Sequence, residues 1–153
     1  MGFLLRLAYQ RASANLTDAI GPNGLTPTQF ATLLRLDELG PQSQNELGRS
    51  VGMPPANIHD TVRRLLAGGL VTTAPSPTDR RLTLVDLTSA GRAKLREVLP
   101  AATAANADTL SALADDEQEL LMSLLRPLAS SAERTAISRT SATGSSGLRA
   151  PSP

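Results

Sequence analysis

The sequence contains no cysteine, no tryptophan and a single histidine. Without cysteine the chain can form neither a disulfide nor a thiolate metal site, and it cannot use a thiol as a nucleophile or as a redox sensor. One histidine cannot build a polyhistidine metal site. We therefore predict that the protein holds no metal and no cofactor.

Aromatic residues make up only 2% of the chain, as Phe3, Tyr9 and Phe30. Hydrophobic residues still reach 41%, which is enough for the core of a domain in a chain of 153 residues. That core must consist mainly of leucine, alanine and valine, a composition that suits helices. The apolar start of the chain is interrupted by Arg6 and is followed by no cleavage signal. We expect a cytoplasmic protein with no membrane partner.

The net charge is only +1, but the charges are unevenly distributed. Residues 43–96 carry eight arginines and lysines against four acids, whereas residues 97–126 carry six acids and one arginine. A basic middle followed by an acidic segment favours a DNA-binding face opposite a region that does not touch DNA. Ordinary solvated charges on a helical protein are the alternative, and the count alone does not decide between them.

Helical periodicity predicts helices along most of the chain. Apolar residues recur at helical spacing over 3–20, and the sequence Thr-Pro-Thr-Gln at 26–29 forms a capping box that opens a second helix. Two later segments rich in alanine and leucine, 89–113 and 116–130, are also predicted to be helical. The tail 132–153 is rich in serine, threonine, alanine, glycine and proline, and we expect it to be disordered.

Residues 42–91 carry the order of elements that is typical of a winged helix-turn-helix. A capping box at Ser43 opens a short third helix, and a fourth helix is predicted from 55 to about 66. Two strands, 70–74 and 81–87, follow on either side of a proline-rich turn. The predicted fold class is mostly α with a small β-hairpin wing.

The fourth helix separates an apolar side, which runs from Ile58 to Leu66, from a polar one. The polar side can enter the major groove, where Asn57 suits adenine and Asp60 suits the amino group of cytosine. Arg63 and the arginine after it suit phosphate or guanine. A helix face that is merely polar and solvated is the alternative. The predicted DNA-binding residues of the helix-turn-helix are Ser43, Gln44, Ala56, Asn57, His59, Asp60, Arg63 and Arg64.

The turn between the two strands carries Asp79, Arg80 and Arg81, which we also predict to bind DNA. At the tip of a hairpin, arginine can enter the narrow minor groove, where the negative potential is strongest. We expect Asp79 to hold the Arg81 guanidinium through a bidentate ion pair. An ordinary surface ion pair, which would contribute little, is the alternative.

Residues 25–91 resemble the MarR family of bacterial transcriptional regulators. The resemblance is carried by LTPTQFATLLRL, SQNELGRSVGM, VRRLLAGGLV and DRRLTLVDLTSAG. The last segment is the most specific, because it matches the family's Asp-x-Arg and Leu-Thr-x-x-Gly patterns. The order of the other helices extends the likeness over about 1–130. The matching positions in the last segment are Asp79, Arg81, Leu87, Thr88 and Gly91.

The resemblance implies a sequence-specific DNA-binding regulator. It would act as a homodimer on a palindromic operator of double-stranded DNA, with half-sites roughly 34 Å apart. It also implies a repressor that a small, often aromatic, effector relieves. Tyr9 and Phe30 are candidate effector-binding residues, with core packing as the simpler role. The implied organisation is one domain over 1–131, with a DNA-binding lobe at 25–91 and dimerisation helices at 1–20 and 89–130.

A protein-binding module and an enzyme are the two alternative classes of protein. A winged helix can bind protein instead of DNA, with the wing arginines at that interface. An enzyme would need His59 with Asp60, or the acids at 115–119, but adjacent helical residues point about 100° apart and do not converge. The acids lie at a predicted helix start, where they stabilise the helix dipole. We therefore predict a regulator and not an enzyme.

Overall fold

The computed structural model describes the backbone of residues 1–143 and the side chains of residues 1–129. This part is mostly helical with one small antiparallel sheet, so the predicted fold class is confirmed. None of the helices described there is long and apolar enough to cross a membrane. In chain order the elements are α1 (Gly2–Ile20), a 3₁₀ helix (Gly21–Asn23), α2 (Pro27–Leu39), β1 (Gln42–Ser43), α3 (Gln44–Ser50), α4 (Pro55–Ala67), β2 (Val71–Pro75), β3 (Thr83–Leu87), α5 (Ser89–Leu110) and α6 (Asp115–Thr143).

The chain divides into two compact units, residues 1–112 and the segment that begins at Leu113. The second unit is built on α6. Its first turn is rich in acids, and the Glu117 carboxylate accepts a hydrogen bond of 2.8 Å from the backbone N–H of Ala114. A carboxylate in this position stabilises the helix, because the first N–H groups have no partner inside it.

α6 extends through Thr143, into the segment 132–153 that the sequence predicts to be disordered. The disorder of that segment stays a prediction. No glycine or proline interrupts 132–143, so nothing in that segment ends the helix. Residues 144–153 of the predicted tail lie outside the described residues.

Capping boxes open α2 and α3 as predicted. The Thr26 hydroxyl accepts a hydrogen bond from the backbone N–H of Gln29 at 3.2 Å, and the Gln29 side chain accepts one from the backbone N–H of Thr26 at 3.0 Å. Ser43 and Glu46 form the same reciprocal pair at the start of α3. These bonds satisfy N–H groups that have no partner in the helix, and they set where each helix begins.

The strand order in the sheet is β1-β3-β2, with both pairs antiparallel. β2 and β3 form the predicted hairpin, in which Thr73 lies opposite Val85. β1 was not predicted; it pairs with the other edge of β3 and places Gln42 opposite Val85. Two residues are too few to show an alternating pattern in the sequence. Because β1 leads directly into α3, this pairing ties the start of α3 to the hairpin.

One aliphatic core lies beneath the first helices, the sheet and α5, as the composition predicts. Each large side chain buried there stabilises the fold by about 1.5–3 kcal/mol. The core includes Phe30, which is only 6% exposed. It also joins α2, α3 and α4 into a single support for the exposed surfaces described below. The most completely buried side chains include Leu33, Leu36, Leu47, Ile58 and Val62.

Candidate nucleic-acid interface

The turn between α3 and α4 brings the two helices into close contact. A Cβ added to Gly48 would lie 3.1 Å from Cγ2 of Ile58 and 3.3 Å from the carbonyl oxygen of Met53. The backbone N–H of Met53 donates to the Gly48 carbonyl at 2.7 Å. Gly52, with φ of 69°, adopts the left-handed conformation that the tight turn needs. A small residue at position 48 therefore sets how closely α4 crosses α3.

α4 has one buried and one exposed side. Ile58, Val62 and Leu65 lie in the core, as predicted, and Thr61 is buried with them. Leu66, which the periodicity places on the apolar side, is outside the core and 38% exposed. The exposed or half-exposed side chains of α4 include the predicted DNA-binding residues Ala56, Asn57, His59, Asp60, Arg63 and Arg64.

A hydrogen bond links the exposed surfaces of α3 and α4. Nδ1 of His59 lies 3.0 Å from Oε1 of Gln44, within hydrogen-bond distance. Ser43, at the cap of α3, is half-buried and bonded to Glu46. Gln44 and His59, predicted separately as DNA contacts, are thus brought together, whereas Ser43 is occupied in its cap.

Asp60 is bound by both arginines of its own helix. Its Oδ1 accepts from Nη2 of Arg63 at 2.5 Å and its Oδ2 accepts from Nε of Arg64 at 2.8 Å. The hydrogen bond from Arg63, and then that from Arg64, lowers the pKa of the Asp60 carboxyl, so the group is ionised at neutral pH. His59 bonds elsewhere, so the two residues of the hypothetical enzyme pair do not converge.

The wing tip, residues 76–82, differs from the prediction in the partner of Asp79. The expected bidentate ion pair with the Arg81 guanidinium does not form; Oδ1 of Asp79 instead accepts from the backbone N–H of Arg81 at 3.0 Å. A short polar side chain readily bonds to the backbone two residues on, which closes a local turn. Within the side chains of residues 1–129, neither Arg80 nor Arg81 forms an ion pair.

Ser76 organises the wing tip and was not singled out in the sequence. It is buried, and its hydroxyl accepts from the backbone N–H groups of Thr78 and Asp79 at 3.3 and 3.4 Å. Its own N–H donates to the Leu82 carbonyl at 2.8 Å. A serine followed by proline at the start of a turn is the signal that could have identified it. These bonds hold both wing arginines on a defined turn.

The Leu-Thr-x-x-Gly pattern joins the wing to α5. The Thr88 hydroxyl donates to the carbonyl oxygen of Gly69 at 2.7 Å and accepts from the backbone N–H of Gly91 at 3.0 Å. The backbone N–H of Thr88 donates to the Leu70 carbonyl at 3.1 Å. A Cβ on Gly91 would overlap that same Leu70 carbonyl oxygen. The pattern is therefore a structural junction between the hairpin base and the helix that follows.

The two candidate effector residues occupy different environments. Phe30 belongs to the core, whereas Tyr9 on α1 is 72% exposed. Burial of Phe30 leaves its ring no surface for a ligand, so the structure favours the core role for it. Among the described residues, no group of three or more histidines, aspartates or glutamates is arranged to hold a metal ion.

An exposed helix thus lies in one lobe with a hairpin whose tip carries two arginines. Proteins with this arrangement place the helix in the major groove, and a basic hairpin tip can reach the flanking minor groove. The fold and this surface define the chain as a winged helix-turn-helix protein of the DNA-binding class.

The comparisons with known proteins agree with that class. Residues 23–82 match the model of the MarR family. The HTH-type transcriptional repressor NicR of Pseudomonas putida is 38% identical over 87% of this chain and 84% of its own length. A Pseudomonas aeruginosa protein of solved structure is 48% identical, with 84% of this chain and 96% of that chain covered and a TM-score of 0.78. The DNA binding of Bordetella bronchiseptica BpsR is regulated by 6-hydroxynicotinic acid. BpsR is 34% identical to this chain, with 84% of this chain and 91% of that chain covered and a TM-score of 0.78.

The chain belongs to the MarR family, which confirms the resemblance seen in the sequence. It is a DNA-binding transcriptional regulator.

Proposed function

We propose that the protein is a homodimeric repressor that binds a palindromic operator through α4 and the wing tip and is released by a small aromatic effector. The observation that carries the proposal is the wing tip, where Arg80 and Arg81 are exposed and form no ion pair within the described side chains. Within the described side chains the two adjacent guanidinium groups are not bound by any carboxylate, and the Asp79 carboxylate beside them is bonded to the backbone of the ordered turn. Such a pair of positive charges attracts a polyanion such as DNA. We propose no catalytic role for the protein.

α4 supplies the base-contacting part of the proposed interface. Its buried side fixes the helix, and Asn57, exposed near the N-terminal end, is the residue best suited to hydrogen-bond a base edge. Ala56 beside it can contact the methyl group of thymine. We propose that Arg63 and Arg64, one turn further along, contact phosphate and set the position of the helix in the groove.

The dimer is proposed from the apolar surface of the first helix. One side of α1 packs on α5, where Asn15 donates to Asp108 and Thr109 at 3.1 and 3.0 Å. The N-terminal half of α1 leaves large apolar side chains exposed, and α6 also carries exposed leucines and a methionine. Patches of this kind mark interaction surfaces, and a second copy of the chain is the partner we propose. The exposed apolar side chains of α1 are Phe3, Leu4, Leu5, Leu7 and Tyr9.

Two measurements test the assembly and the DNA site. The full chain should elute as a dimer at micromolar concentration, and deletion of 1–20 should give a smaller or aggregating protein. Footprinting on genomic fragments should reveal an inverted repeat whose half-sites lie about 34 Å apart on one face of the duplex. A stable monomer would contradict the dimer. Affinity that is independent of salt and of DNA sequence would contradict the regulator and favour a protein-binding winged helix.

The effector is proposed from the regulation of BpsR by 6-hydroxynicotinic acid. Of the two aromatic residues first considered, only Tyr9 offers an exposed ring. By analogy with BpsR, 6-hydroxynicotinic acid should release this protein from its operator. Because the Tyr9 ring is exposed, Tyr9→Ala should raise the concentration of 6-hydroxynicotinic acid that is needed for release. Tyr9→Phe, which keeps the ring, should retain most of the response. Release at the same concentration from the wild type and from Tyr9→Ala would remove this residue from the effector site.

A further inference from the structure

Asp60 is the only acid of α4, and both of its carboxylate oxygens are bound by arginines of the same helix. The side chain of Asp60 is 43% exposed, and those of Arg63 and Arg64 are 69% and 65% exposed. All three lie on the surface proposed to face DNA. The pair spacings, three and four residues, are those at which side chains on a helix meet. The cluster therefore belongs to the helix itself and does not depend on any other element.

The carboxylate changes what the two arginines present to DNA. With Asp60 ionised, the side chains of α4 carry a net charge of +1 instead of +2 at neutral pH. Each guanidinium has five N–H donors, and the ion pair to Asp60 uses only some of them. Both arginines can therefore still donate to phosphate or to guanine while Asp60 holds them in place. What Asp60 removes is mainly charge, and charge is the whole basis of binding to non-specific DNA.

We infer that Asp60 is a specificity-determining residue that acts as an internal counter-ion and offsets part of the positive charge that Arg63 and Arg64 present to DNA phosphates. The inference rests on the proposed DNA-binding function. Its consequence is that α4 binds random sequence weakly, whereas the operator, which also makes base contacts, tolerates the lost charge. This differs from the base contact to cytosine expected from the sequence, because both carboxylate oxygens already have partners within the helix.

Asp60→Asn isolates the charge, because the amide keeps the shape of the side chain and one acceptor oxygen. Glu38→Gln is the matched control: Glu38 pairs with Arg35 at 2.8 Å on α2, at spacing i,i+3, with side chains 46% and 45% exposed. Both variants raise the net charge by one unit per chain, but only Asp60→Asn raises the charge of α4. Asp60→Glu, which keeps the charge, is a second control.

The experiment compares an operator duplex with a scrambled duplex of equal length by fluorescence anisotropy between about 50 and 200 mM salt. For each protomer on the scrambled duplex, Asp60→Asn should raise affinity about 8-fold at about 0.1 M salt and steepen the log–log salt slope by about 0.9, the value for one more phosphate neutralised. Operator affinity should rise less, so the ratio of the two affinities falls. Glu38→Gln should stay within about twofold of the wild type, and Asp60→Glu, which keeps the charge, should gain less affinity than Asp60→Asn.

Three results would overturn the inference. One is an unchanged scrambled-duplex affinity and salt slope for Asp60→Asn. Another is an equal rise for Glu38→Gln, which would mean that bulk charge alone matters. The third is a lost preference at a single base pair with no gain on the scrambled duplex, which would make Asp60 a base-contacting residue. If the wild type itself shows no salt-dependent DNA binding, the proposed function fails, and this is visible before any variant is made.

Discussion

Replacing Arg81 by alanine should weaken operator binding without destabilising the fold. The side chain is exposed, and its guanidinium makes no ion pair within the described side chains. The hydrogen bond that fixes the wing turn uses the backbone N–H of residue 81, which alanine retains, so Asp79 keeps its partner. The perturbation therefore removes a groove contact and leaves the turn that presents it.

The loss expected for one well-placed groove contact is about 1–3 kcal/mol. At 25 °C this corresponds to a dissociation constant that is about 5- to 150-fold higher. The change in unfolding free energy should stay within about 0.5 kcal/mol, which is usual for an exposed side chain without partners. A loss of operator affinity without a loss of unfolding free energy distinguishes a binding role of Arg81 from a structural one.

Fluorescence anisotropy at one fixed salt concentration measures the affinity, and urea unfolding measures the stability. Arg81→Lys is the control, because lysine keeps the charge but lacks the planar guanidinium that fits a narrow groove. It should lie between the wild type and Arg81→Ala. Unchanged affinity of Arg81→Ala would remove the wing tip from the interface. A large fall in stability would show that the guanidinium has a structural partner.

Three further predictions concern stability, measured by urea unfolding. Thr88→Ala should cost about 1.5–2.5 kcal/mol, from the lost helix cap and the lost bond to Gly69, whereas Thr88→Ser should cost under about 0.5 kcal/mol because it keeps the hydroxyl. Gly91→Ala should cost at least about 1–3 kcal/mol, because its Cβ would overlap the rigid carbonyl of Leu70. The hydrogen bonds from Ser43 lower the pKa of Glu46, so the ionised carboxylate stabilises the fold above about pH 4.5 and this contribution is lost as the pH falls further. Glu46→Gln should therefore make the unfolding free energy less dependent on pH below about 4.5.

Features set by neighbours in the chain could be predicted from the sequence. The capping boxes at Thr26 and Ser43 involve residues three apart, so their signal lies entirely in the local sequence. The buried side of α4 follows from helical periodicity over Ile58, Val62 and Leu65, all of which lie in the core. The hairpin was predicted from turn residues between two apolar segments. Its register was not predicted, because the connection 76–82 is longer than the tight turns that fix register.

The partners of charged and polar groups could be predicted less well. Asp60 and the arginines three and four residues later had the spacing of helix ion pairs, but all three were assigned to DNA because they share the exposed side. Asp79 could reach either the Arg81 guanidinium or the Arg81 backbone N–H. The turn already holds the backbone N–H in place, whereas fixing the guanidinium costs side-chain entropy, and the carboxylate bonds to the backbone. The strand at Gln42 depends on a contact with β3, distant in sequence, and two residues carry no local signal for it.

The junction at Thr88 limits how an effector can act on DNA binding. Thr88 follows β3, caps α5 and hydrogen-bonds to the turn after α4, while Gly91 lies directly against the backbone of Leu70. α5 therefore cannot tilt away from the hairpin base without breaking backbone contacts, and a change in its direction must carry α4 and the wing with it as one body. In a two-fold dimer such a movement changes the separation of the two α4 helices, which has to match one helical turn of DNA, about 34 Å. We therefore expect an effector to act by changing the spacing of the two lobes and not by deforming the wing of either one.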